Sequence, residues 1–203
     1  MIKKLVALLI LALLAPSSAL KERATGIEFA ATRGDLALMG VGVRKKGPIS
    51  VYAVGMYASS TLKSKLAAIS RKAKDQALSI LRQSVVSDDD EAATTFLLQM
   101  SFKVGAEKIS AAIADSVSAR YQKADEVNLL KSLIFNGVEG AATKGTTFCF
   151  DCTAAGIAVA VNGKAQGQVE SPGLSKAFCN VYLDDKCVSP ALIKSVVENC
   201  CGP

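Results

Sequence analysis

The sequence predicts an α+β fold, with a long antiparallel sheet layered with helices. Three observations predict it. Strand-like and helical segments come in blocks, in the order strands, helices, a strand, helices, a three-strand meander and helices. Two tight turns, Gly47-Pro48 and Asn162-Gly163, join strand-like segments directly, and only antiparallel neighbours can be joined by so short a connection. Each long helical segment carries one apolar stripe, so each has a single face to bury.

The elements follow in order. Residues 26–32 alternate, with Ile27 and Phe29 on one face, as a strand does. Residues 35–44 and 49–58 are the next two strands, joined at Gly47-Pro48. From Ser59 the period turns helical, with Leu62, Leu66, Ile69, Leu78 and Leu81 recurring between lysines and arginines. Ser87-Asp88-Asp89-Asp90 breaks this run and caps a short turn. Residues 95–104 read as a strand. Residues 105–121 and 124–136 read as amphipathic helices, striped by Ile109, Ile113 and Val117 and by Val127, Leu130 and Ile134. The meander takes in 146–152, 157–161 and 165–170, with turns at Ala154-Ala155-Gly156 and Asn162-Gly163. Pro172 and Pro190 open helices over 172–180 and 190–199.

The N-terminus is a targeting segment. Lys3 and Lys4 precede the unbroken apolar run 5–15, and Pro16-Ser17-Ser18-Ala19 follows with small residues before a cut after Ala19. The run is short for a bilayer span; an uncleaved anchor is the alternative. Residues 1–19 are thus expected to be a signal peptide and 20–203 one domain, with no membrane span in the mature chain. Entry to the secretory route leads to secretion, or to a plastid in an alga whose plastids lie within the endomembrane system. The net charge of +6 includes the two leader lysines. The remaining basic residues are spread out without interleaved exposed aromatics, which argues against a nucleic-acid partner.

Six cysteines, 149, 152, 179, 187, 200 and 201, all fall in the last third of the chain. Behind a signal peptide an even count implies disulfides, and Cys179 with Cys187, separated by a helix end and a turn, is the first candidate pair. Cys200 and Cys201 would tie the C-terminus to Cys149 or Cys152. Packing as buried free thiols is the competing possibility. The pattern TTFCFDCT around Cys149 and Cys152 alternates like a strand, placing the two on opposite faces, unlike a redox motif or a zinc site.

There is no histidine in the chain, which removes histidine-based nucleophile systems and histidine metal sites. Gly40-Val41-Gly42 lacks the third glycine of a dinucleotide loop and lies within a strand. The acidic run 88–91 lacks the spacing of a calcium loop. No cofactor and no metal is expected.

Arg44 is the residue the pattern leaves open. It follows directly on an apolar, glycine-rich strand, and Tyr52 lies at the start of the next one. Either it begins a solvated Arg44-Lys45-Lys46 turn, or it is a fixed cation that holds, with a phenol hydroxyl, the anionic or carbonyl end of an apolar molecule.

The segment GVGVRKKGPISVYAVGMYAS, residues 40–59, resembles the arginine-bearing hairpin of the chalcone isomerase family. Residues 163–196, GKAQGQVESPGLSKAFCNVYLDDKCVSPALIKSV, resemble that family's closing hairpin, helix, "VSP" turn and last helix. Residues 95–117 are similar to its strand-glycine-helix unit, so the resemblance spans about 26–198. It implies an open-faced β-sandwich with a ligand cleft between sheet and helices. The family holds both true isomerases and non-catalytic relatives that bind fatty acids. Arg44 aligns with the arginine both groups keep, and Tyr52 with the tyrosine that the binding relatives use as second carboxylate donor, where the enzyme has threonine. The enzyme's helix tyrosine falls near Lys108, its asparagine near Asp115, and its C-terminal threonine or serine at Asn180. The resemblance therefore implies a binder of a fatty acid or similar amphipathic carboxylate rather than an enzyme, held by Arg44 and Tyr52. Lys108, Asp115 and Asn180 are further cleft positions. The alternative is an isomerase-type intramolecular lyase acting on a chalcone-like enone.

Overall fold

The computed structural model describes residues 19–84 and 94–203. The leader expected over 1–19, save Ala19 itself, and the acidic turn at 87–90 lie outside the described residues. The strands are β1 Leu20–Lys21, β2 Glu28–Phe29, β3 Thr32–Arg33, β4 Leu36–Lys46, β5 Ile49–Ala58, β6 Thr94–Met100, β7 Val104–Gly105, β8 Ala141–Ala142, β9 Thr147–Cys152, β10 Ile157–Val161 and β11 Lys164–Val169. The helices are α1 Ser60–Ala67, α2 Lys74–Ser84, α3 Ala106–Ser118, α4 Ala124–Asn136, α5 Pro172–Leu183 and α6 Pro190–Cys200.

Seven strands form one sheet in the order β11-β10-β9-β6-β5-β4-β3, with every neighbouring pair antiparallel. The helices cover one face. Tyr52, Val54, Met56, Phe96, Leu98, Met100, Phe148 and Phe150 alternate onto that face and are buried with the helix stripes in the main core. On the other face a small cluster of Phe29, Leu38, Val41, Ala53 and Tyr57 lies under the N-terminal residues, including Leu20 and Ile27. The layered antiparallel sheet of the sequence analysis is therefore the architecture observed.

Two local details explain the glycines of β4. A Cβ on Gly40 would stand 2.6 Å from the backbone nitrogen of Val196, and one on Gly42 would stand 2.5 Å from that of Leu192. The glycines thus let α6 lie directly on the strand. The hairpin between β10 and β11 turns at Asn162 (φ 49) and Gly163 (φ 77), the two positive values a tight two-residue turn requires. Helix starts follow capping chemistry. The Ser59 and Ser171 hydroxyls accept from Leu62 and Leu174 backbone N–H groups, and proline opens α5 and α6.

Some segments differ from expectation. The strand expected over 26–32 is divided: β2 pairs with β1 in a separate two-stranded sheet while β3 joins the edge of the main sheet, and Phe29 of β2 packs over Gly55 of β5. The strand expected over 95–104 ends at Met100, where the N–H groups of Ser101 and Phe102 both turn back to the Val51 carbonyl. Helix α5 runs to Leu183 rather than to 180, which brings Tyr182 into the core.

Candidate functional site

Along β4 the helix-facing positions are Gly40, Gly42 and Arg44, and Arg44 pairs across the ladder with Tyr52 of β5. Directly opposite residues on antiparallel strands share a face, so guanidinium and phenol enter the same layer. The ladder is irregular immediately after Arg44, and such irregularities re-aim the side chain beside them. Arg44 Nη1 donates to Ser116 Oγ on α3 at 3.1 Å, and Ser116 in turn donates to the Ala112 carbonyl at 2.7 Å. Arg44 is half-buried, and among the described residues no carboxylate lies within ion-pair distance of it.

The hydroxyls of Tyr52 and Tyr182 lie 3.0 Å apart, each residue 1% exposed. Tyr182 is held by stacking on Phe96, with ring centroids 4.8 Å apart, and by packing against Phe178. Burial, and then the neighbouring Tyr52 phenol, hold the Tyr182 hydroxyl well above the ordinary tyrosine range, with Arg44 pulling the other way. The Tyr182 phenol is therefore protonated at neutral pH. Two hydroxyls carry two protons, and their mutual hydrogen bond uses only one. The other has no acceptor among the described residues. A cation and a spare hydroxyl proton together form a donor set for an oxyanion.

A clamp fixes this arrangement from outside. Arg120 donates to both carboxylate oxygens of Asp184, at 2.7 and 2.8 Å, and to the carbonyls of Ser116 and Lys186. It ties the end of α3, which carries Ser116, to the end of α5, which carries Tyr182. Partial burial pushes the Asp184 carboxyl up, but Arg120 outweighs it and the net shift is downward.

The structure brings together Arg44 and Tyr52 of the expected site. Lys108 and Asp115 are exposed on α3. Asn180 is half-buried in a cleft of about 490 Å³ between α2 and α5, lined also by Ser79, Arg82, Gln83 and Lys176. That cleft contains neither Arg44 nor Tyr52 and is not the site of the donor cluster. Ser116 and Tyr182 join the cluster without having been singled out in the sequence. For Ser116 the signal was helical phase, since it stands three residues after Ile113 of the buried stripe. For Tyr182 it was the four-residue spacing from Phe178. Of the apolar residues near the site, Leu98, Met100, Ile109, Ile113 and Val117 belong to the helix-side core, Leu97 packs on the opposite face and Phe102 is exposed.

The expected Cys179–Cys187 bridge is not formed, and all six cysteines are free thiols. Cys179 points into the core against Cys152, while Cys187 lies beyond the end of α5, half-buried. Nor do Cys200 and Cys201 reach Cys149 or Cys152; the Cys200 thiol donates to the Met39 carbonyl at 3.1 Å. Cys149 and Cys152 do lie on opposite faces. Cys152 is in the helix-side core, whereas Cys149 receives a hydrogen bond from Arg33 and donates to Asp151 on the far face. Burial, then the Asp151 charge, pushes the Cys149 thiol up to about 12.

An antiparallel sheet covered by helices on one side, with an arginine-tyrosine pair between the layers, defines a class of open-faced β-sandwich. The chain belongs to the chalcone isomerase-like family, which matches it over residues 25–196. A solved structure of the same fold is a fatty-acid binding protein from Arabidopsis thaliana, with a TM-score of 0.72 and 24% sequence identity, covering 90% of this chain and 97% of the other. No curated protein matches the chain in sequence.

Proposed function

We propose that the protein binds a fatty acid or a similar amphipathic carboxylate, with Arg44 and Tyr52 as head-group ligands, Tyr182 completing the donor set and Ser116 positioning the Arg44 guanidinium. One observation carries this reading: a half-buried guanidinium with no carboxylate partner among the described residues stands beside a buried phenol pair that has one proton to give. A carboxylate has the charge, the acceptor count and the planarity for such a set. Family membership and the likeness to a fatty-acid binding protein support the reading. The apolar tail belongs between sheet and helices, in the layer of Met100, Ile113 and Val117. These side chains are buried, so a tail in this layer would lie among them, out of water.

The cyclisation of an enone would need several donors around a developing oxyanion, and Lys108 and Asp115, aligned with two of the enzyme's polar positions, are turned to solvent. Two assays on purified protein test the reading. Mass spectrometry of the organic extract is expected to find a long-chain carboxylate, and incubation with a chalcone is expected to leave the buffer rate of cyclisation unchanged. Turnover well above that rate would overturn the reading in favour of an isomerase. We further propose that residues 1–19 direct the chain into the secretory route; N-terminal sequencing of the mature protein is expected to begin at Leu20, and a start at Met1 would contradict it.

A further inference from the structure

Three loops meet at the end of the sheet where β4 hands over to β5. Lys45 and Lys46 pair with Ser50 and Ile49 across the hairpin. Ser101 and Phe102 bond through their N–H groups to Val51, and the Ser101 hydroxyl bonds to Ser50. The turn around Lys144 joins them through the Gly145 N–H, which donates to the Met100 carbonyl.

This end is basic and apolar at once. Lys45, Lys46, Lys103 and Lys144 are all exposed, and among the described residues none takes part in an ion pair. The three segments 44–51, 101–104 and 143–147 contain no acidic residue. Among them project Phe102, 48% exposed, and Ile49, 40% exposed, two of the four large apolar side chains left exposed among the described residues. The sequence alone suggested scattered basic residues without exposed aromatics; folding gathers the lysines and sets an aromatic among them.

We propose that this end of the sheet docks on an anionic phospholipid bilayer, with Phe102 and Ile49 entering the interface and the four lysines facing the head groups. Lysines flanking apolar tips are the chemistry of peripheral membrane attachment. Ile49 sits at the tip of the β4–β5 hairpin and Phe102 in the bend after β6, so both are exposed tips flanked by lysines, which suits a soft anionic surface. Arg44 lies at the same end, so a docked protein would hold its donor cluster towards the membrane. The proposal stands apart from the head-group reading, because its test uses lipid-stripped protein and leaves Arg44 and Tyr52 intact.

The test is sedimentation of the full chain with vesicles of phosphatidylcholine alone or mixed with phosphatidylserine. Binding to the mixed vesicles only, weakened by added salt, is expected. Lys45→Gln with Lys46→Gln should lower the partition coefficient about twenty-five-fold, at about five-fold per lysine. Lys103→Gln alone should lower it about five-fold, and Ile49→Ser with Phe102→Ser about ten-fold or more. Lys72→Gln with Lys194→Gln removes the same charge elsewhere and should change binding by less than about three-fold. Equal binding to both vesicle types would overturn the proposal. So would patch variants that bind like wild type, or an RNA ligand that replaces the vesicles and ignores the Ile49 and Phe102 changes.

Discussion

Replacing Gly42 by alanine tests how the site is held. The added Cβ would stand 2.5 Å from the Leu192 nitrogen, 2.5 Å from Ser189 Oγ and 2.7 Å from the Leu192 Cα. Ordinary non-bonded contacts of carbon lie near 3.5–4.0 Å, so about 1 Å must be found. Two of the three obstructing atoms are helix backbone, which cannot swing aside as a side-chain end does. Helix α6 must therefore lift, loosening Leu192 and Val196, both fully buried. Overpacking of this kind costs about 1–3 kcal/mol, and rigid backbone obstruction puts Gly42→Ala near the upper end. With a urea slope of about 2 kcal/mol per molar, the unfolding midpoint should fall by about 1–1.5 M. Gly105→Ala is the control: its Cβ meets nothing within 4 Å, and it should stay within about 0.5 kcal/mol of wild type. Equal midpoints for Gly42→Ala and wild type, with equal slopes, would refute the close approach of α6 to β4.

Two further predictions concern the clamp and the thiols. The Asp184 carboxyl is lowered in the folded protein, so its stabilisation is complete above the unfolded value of about 4 and is lost as pH falls through the folded one. Asp184→Asn should therefore narrow the gap to wild type in acid and show its full deficit at pH 7, read from melting temperature against pH; a gap that does not change with pH would contradict the pairing with Arg120. Of the six thiols, Cys187 is half-buried and the other five are buried. Iodoacetamide on the native, reduced protein should label Cys187 first, and peptide mapping that found Cys152 or Cys179 labelled as quickly would contradict the packing.

Much of the fold was legible because its signals are local. The α4 stripe of Val127, Leu130 and Ile134 gave a helix over the residues observed, and the alternation around Cys149 and Cys152 placed them on opposite faces. The Asn162-Gly163 turn likewise fixed one hairpin. What escaped was set by distant partners. Phe29 pairs with Leu20 and packs over Gly55, and the Tyr52 hydroxyl meets Tyr182, 130 residues away. No spacing within the sequence encodes that meeting. Helical phase decides between neighbours: Asp115 faces water while Ser116 beside it reaches Arg44. The cysteine pairing failed similarly, because the turn after α5 leaves Cys187 half-buried at the rim of the core while Cys179 faces inward against Cys152.

The central claim is that Arg44 waits for a carboxylate. It is tested most directly by calorimetric titration of laurate into lipid-stripped protein, comparing wild type with Arg44→Ala. A charge-assisted hydrogen bond contributes about 1.5–3 kcal/mol, so the Kd should rise about ten- to a hundred-fold in the variant. Equal affinity for laurate in the two proteins would contradict the account.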